Sequence, residues 1–125
     1  MAGAATVTAP ALARALDLIT RVRGVRGAMV VSRSDGLVVA EQLMEGIKGS
    51  AVAALASSLA GRLQRAMISD GLGSSQFWHL QCDQGALLVV PAGAEHGLLL
   101  VAVTEADVNV GLVRLELLRA AETAV

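Results

Sequence analysis

Residues 49 to 70 read GSAVAALASSLAGRLQRAMISD, and the fold turns on what this stretch packs against. The periodicity is helical. With Val52 at zero and steps of about 100° per residue, Leu55, Leu59, Leu63, Ala66 and Met67 fall within about 60° of it. That stripe is the expected sheet-facing side. The opposite side carries Ser50, Ala54, Ser57, Gly61 and Ile68, with Ser58 and Arg65 on its shoulder, and almost no charge. Gly61 costs a helix interior about 1 kcal/mol relative to Ala. Two readings of this side stand: small polar residues tolerated in water, or close approach of another backbone. The second makes the same helix of another copy the natural partner, in a two-fold dimer.

Outward from this helix the chain divides cleanly. Upstream, TAPALARALDLITRVRG predicts a first helix, with Thr8 as cap, Pro10 in the first turn and Leu12, Leu16 and Ile19 on one face. Arg21 and Arg23 are expected in its last turn, and Gly24 to end it. Two β-rich runs follow, Ala28 to Ser32 and Leu37 to Leu43, joined by RSDG; Asp35-Gly36 supplies the positive φ angles of a tight hairpin. The long helix then runs from about Lys48 to Ser69. Downstream, SQFWHLQC, GALLVVP and GLLLVAV predict three strands, the last two apolar enough to be covered on both faces. DVNVGLVRLELLRAAETAV closes the chain as a third helix, capped by Asp107 or Asn109, with Val110, Val113, Leu117 and Ala121 on one stripe. The order αββαβββα implies an α+β antiparallel sheet between helices. It forms one domain over residues 1–125, with residues 1–7 disordered.

Composition narrows the function. Of the 125 residues 54% are hydrophobic, 17% charged and 2% aromatic, and the formal net charge is −1. The core must be aliphatic, and neither a basic field nor a set of stacking rings is present to recruit nucleic acid. The apolar runs are well short of the roughly 20 residues a spanning helix needs, so no membrane insertion is expected. The first Arg is Arg14, which leaves no basic region of a secretory signal. A single Cys excludes an internal disulfide and fits a reducing compartment, so the expected location is cytoplasmic.

Chemistry-bearing residues do not converge. His79 and Cys82 lie three apart on a predicted strand and so point to opposite faces, which prevents a nucleophile–base pair. His79, His96 and Cys82 match no metal spacing. The carboxylates Asp17, Asp35, Asp70, Asp83 and Asp107 are scattered at turns and caps. GIKGS and GLGSS lack the frame of a phosphate loop. Arg21, Arg23, Arg26 and Arg33 read as a solvated cluster at a helix end, or alternatively as a docking patch for an acidic surface. The expectation is therefore a protein without enzymatic activity, cofactor or metal. SQFWHLQC adds a feature of its own. It can pair sequentially only with the next strand, which makes it a sheet edge. It carries both aromatic residues, Phe77 and Trp78, and lacks the Lys or Pro that blunts an edge.

Taken in order, GVRGAMVVSRSDGLVVA, GALLVVPAG, LLLVAV and NVGLVRLELLRAA resemble the Roadblock family of dynein-light-chain-related proteins, over about residues 9 to 122. The resemblance implies a profilin-like fold with a five-stranded sheet in the order 2-1-5-4-3. It also implies dimerisation through the second helix and third strand, and binding of a small Ras-like GTPase on the paired helices. On this chain the implied dimer contacts are Ala54, Ser57, Ser58, Gly61, Phe77 and Trp78. The partner contacts would be Gln64, Arg65 and Ile68, with Arg62 at the side. The alternative is a dimeric adaptor or scaffold without a GTPase.

Overall fold

The computed structural model describes residues 8–93 and 96–123, so the expectation for residues 1–7 lies outside the described residues. Helix α1 (Ala9–Thr20) starts as its sequence requires. The Thr8 hydroxyl accepts the Ala11 N–H at 3.2 Å, and Pro10 sits in the first turn. It stops one residue short of the expected arginines. Val22 N–H turns back to the Ile19 carbonyl and Val22 is buried, so Arg21 becomes the C-cap and Arg23 lies in the turn beyond. Gly24, at φ +94°, swings the chain into the sheet.

Strands β1 (Val25–Ser32) and β2 (Val38–Leu43) form the expected hairpin with a wider loop. Only Gly36 takes positive φ, at +72°. The Gly36 N–H reaches the Ser32 carbonyl, Ser32 N–H donates to Leu37 O, and the Asp35 carboxylate accepts the Leu37 N–H at 3.1 Å. That Asx-type bond holds Asp35 in the turn without a left-handed backbone, and lowers its carboxyl pKa.

Helix α2 (Gly49–Ser69) crosses to β3 (Trp78–Cys82), β4 (Gly85–Ala92) and β5 (Leu98–Thr104), and α3 (Val110–Thr123) ends the chain. Asn109 Oδ1 accepts the Leu112 N–H at 3.1 Å, which selects Asn109 over Asp107 as the α3 cap. The sheet is antiparallel with order β2-β1-β5-β4-β3, as the family resemblance implies.

Strand alternation sorts the core into two layers. On one face Ala28, Val30, Leu88, Val90, Leu100 and Ala102 meet α1 and α3 through Leu12, Leu16, Ile19, Val113 and Leu117. On the other, Met29, Val31, Leu87, Val89, Leu99 and Val101 meet α2. The α2 residues buried against them are Ala53, Ala56 and Ala60, with Val52 half-buried beside them, and not the leucines. The helix is thus turned about 70° around its axis from the orientation its leucines predict. Bulky strand residues already fill that layer, so small helix residues complete close packing and let α2 lie low on the sheet.

Candidate protein-interaction site

This rotation redistributes the α2 side chains. On one flank the Ser57 hydroxyl donates to the Arg33 carbonyl at 2.8 Å. A Cβ at Gly36 would sit 3.3 Å from Ser57 Cβ and 3.6 Å from Ala54 Cα, so this flank rests on the β1–β2 hairpin. Of the four expected small-residue contacts, Ser57 and Gly61 are half-buried and Ala54 and Ser58 exposed. Leu55, Leu59 and Ala66 lie about 160–180° from Ser57 around the axis. They occupy the flank turned toward β4 and β3. The sequence places Leu55 and Ala66 against the sheet; instead Leu55 is 50% exposed and Ala66 is exposed as well.

The sheet beside that flank is only partly roofed. α2 packs chiefly over β1, β2 and β5. Trp78 belongs to the α2-side layer, so Leu80 and Cys82, two and four residues on, face the same way. Leu80 is 42% exposed, and Cys82 is exposed as a free thiol. β3 pairs only with β4, which leaves its outer row of backbone groups without a strand partner. No Lys, Pro or bulge protects it. The Trp78 Nε1 is buried with no hydrogen-bond partner among the described residues. Leu87 and Val89 of β4 are buried on this face, so what stays open is Leu55 on α2 together with Leu80, Cys82 and the outer edge of β3.

Phe77 does not share that face. It packs against the α1/α3 layer, with the Arg114 guanidinium 5.5 Å from its ring centroid. Of the expected partner contacts, Arg62, Arg65 and Ile68 are exposed on α2. Gln64 is engaged internally: its amide donates to Ser74 Oγ at 2.9 Å and accepts the Ser75 N–H at 3.3 Å. Sequence reasoning missed Leu55, Leu80 and Leu72, because each is an ordinary leucine until its burial is known.

Elsewhere the groups that carry chemistry stay apart. His79 and Cys82 are exposed on opposite faces, and His79 Nε2 lies 2.8 Å from Gln81 Oε1. The arginine cluster divides. Arg21 and Arg23 are exposed, whereas Arg33 Nη1 donates to the His96 carbonyl at 3.4 Å. Among the described residues no three His, Cys, Asp or Glu side chains gather as a metal site, and no helix is long and apolar enough to cross a membrane. The hollows are surface depressions, such as the one lined by Arg14, Asp17, Leu18, Arg21 and Thr123.

Comparison with known proteins agrees with this architecture. Residues 12–104 match the Roadblock/LC7 domain. An uncharacterised protein of Methanocaldococcus jannaschii is 37% identical over 109 residues, covering 87% of this chain and 92% of its own. The gliding protein MglB of Thermus thermophilus superposes with a TM-score of 0.79 at 26% identity, over 94% of this chain and 89% of that one. An MglB chain solved in a tetrameric arrangement gives a TM-score of 0.75 at 27% identity, over 94% of both chains.

Proposed function

Since the chain belongs to the Roadblock/LC7 domain family, we propose that it is a homodimeric regulatory or scaffold protein that binds a small Ras-like GTPase. The observation that carries the dimer is the unpaired edge of β3 with exposed apolar side chains beside it. Leu55, Leu80 and the outer edge of β3 are left open on one side of the molecule. A second copy related by a two-fold axis satisfies all three features at once. Its β3 pairs with this β3, and its Leu55 flank covers the exposed face of β3 at Leu80 and Cys82. An MglB chain adopts a tetrameric arrangement, which supports self-association in this family.

The paired α2 helices then present a continuous outer surface. Arg62 and Arg65 lie on it, beside the small side chains of Ala54 and Ser58. Small residues keep this surface low, which suits a broad protein partner. The proposed action on GTP hydrolysis is indirect: contact reshapes the GTPase's own switch segments, and the chain supplies no catalytic group. An arginine finger from Arg62 or Arg65 would act differently, as a charge placed on the transferring phosphoryl group.

The test is to mix the purified protein with each Ras-like GTPase of the same genome, loaded with GDP or a non-hydrolysable GTP analogue, and to measure mass by light scattering. Mass gained with one nucleotide state supports the reading. A dimer that binds none of them in either state contradicts it and favours an adaptor without a GTPase. Arg62→Ala and Arg65→Ala should leave any stimulation of hydrolysis within a few-fold of the parent protein. A loss of about 10³-fold would identify an arginine finger.

A further inference from the structure

The turn after β3 decides which of its backbone groups point outward. Asp83 and Gln84 form a tight turn closed by Cys82 and Gly85, which are directly opposed. Residues that close so short a turn are a hydrogen-bonded pair, and such pairs recur at every second position of an antiparallel ladder. Cys82, Leu80 and Trp78 therefore direct their N–H and C=O groups at Gly85, Leu87 and Val89. The main-chain groups of His79 and Gln81 point the other way, into the open edge.

That row is straight and tied in place. Pairing with β4 is regular over all of Trp78–Cys82, with no bulge. The Gln81 amide donates to the Ala106 carbonyl at 2.9 Å, and Gln81 Oε1 lies 2.8 Å from His79 Nε2, so both side chains are held along the strand. The opposite edge of the sheet differs. On β2 the register shifts at Val39, which is left without a partner between Val38 and Ala40. A bulge of this kind blunts an edge. Of the two edges, only β3 offers an unbroken template for another strand.

A two-fold axis perpendicular to the sheet pairs β3 with its copy antiparallel and keeps both α2 helices on one side. Opposed residues must then share a face and the outward direction of their backbone groups, so the axis passes through a residue and not between two. An axis through His79 sets two imidazoles directly opposite and leaves Cys82 facing Gln76, outside the strand. An axis through Gln81 draws Asp83 of the turn into the ladder. An axis through Leu80 pairs every residue of Trp78–Cys82 within the same span.

We infer that the two-fold axis of the dimer passes through Leu80. The two Leu80 side chains meet at a close, non-hydrogen-bonded position, His79 exchanges main-chain hydrogen bonds with the partner's Gln81, and Cys82 lies opposite the partner's Trp78. This rests on the dimer reading above. The physical reason is that one register covers Leu80, 42% exposed in a single copy, and satisfies the outward backbone groups of β3 together.

The experiment uses the full chain and three variants on a Cys82→Ser background: His79→Cys, Leu80→Cys and Gln81→Cys. Only the residue on the axis stands opposite its own copy. At a non-hydrogen-bonded position the two Cα atoms are about 4.5 Å apart, within the range a disulfide spans. Mild oxidation should therefore give a covalent dimer with Leu80→Cys, and little or none with the other two or with the parent. Light scattering under reducing conditions checks that each is dimeric. Amide exchange on the parent, which needs no substitution, reads the same register: slow exchange at His79 and Gln81 at micromolar concentration, and fast exchange on dilution to monomer. Cross-linking that is strongest at His79→Cys, at Gln81→Cys or in the parent overturns the inference by moving the axis. Protection that extends to Phe77 or to Asp83 overturns it in the same way, through an axis at His79 or Gln81. Fast exchange at His79 and Gln81 in a particle of dimer mass overturns it by placing the seam elsewhere. A parent of single chain mass overturns both this inference and the dimer reading beneath it.

Discussion

The hydroxyl of Ser57 donates a 2.8 Å hydrogen bond to the main-chain carbonyl of Arg33, and so joins the middle of α2 to the end of the β1–β2 hairpin. This bond ties the rotated α2 to the hairpin, and that rotation decides the side chains left for a partner. Ser57→Ala should leave the part-buried carbonyl without its partner and cost about 1 kcal/mol. For a domain of this size that is a drop of about 4 °C in melting temperature. Because Ser57 faces the hairpin, the mass measured by light scattering should not change.

The seam is tested by Leu55→Glu. Leu55 is half exposed in one copy, so the substitution leaves each protomer folded, as circular dichroism should confirm. In the dimer it places two carboxylates in an apolar seam, at a cost of several kcal/mol. Monomer at micromolar concentration is the expected result. Gly61→Arg, which the sequence alone would choose for this purpose, should be milder. At that position an added Cβ meets only Arg65 Nη1, at 3.4 Å.

Gly85→Ala addresses the sheet edge from within. A Cβ there would lie 2.7 Å from the Thr104 carbonyl oxygen, a backbone atom that cannot move aside without disturbing β5. Overpacking of this kind costs about 1–3 kcal/mol. Gly85 also pairs with Cys82 across the β3–β4 turn. Denaturant unfolding should therefore shift to lower midpoint, and amide exchange should quicken first in β3.

The turn that holds Asp35 also couples its carboxyl to the fold. Its carboxyl pKa is lowered, first by the Leu37 N–H and then by Ser32. A depressed folded value means that its contribution is fully present above the unfolded value of about 3.9 and is lost as pH falls through the lower folded value. Acid melts of the parent and Asp35→Asn should accordingly differ most above about pH 4 and approach each other as pH falls further, through the lowered folded value.

Much of the fold was legible because its determinants are local. Thr8 and Asn109 announce two helix starts by their own side chains, and Gly36 marks the hairpin. The edge position of β3 follows from chain order. The rotation of α2 was not legible. Leucines outnumber every other strong apolar residue in that helix, yet Ala53, Ala56 and Ala60 win the sheet because Met29, Val31, Leu99 and Val101 already fill the layer. Phe77 and Trp78 read as one aromatic pair but alternate across the strand, into opposite layers. Gln64 reads as free for a partner because its bonds to Ser74 and Ser75 span ten and eleven residues.

The most direct measurement is the mass of the protein alone in solution, by light scattering at micromolar concentration. The account predicts twice the chain mass of 12.7 kDa. A particle of a single chain mass would contradict it, because the open edge of β3 and the exposed Leu55 flank would then face only water.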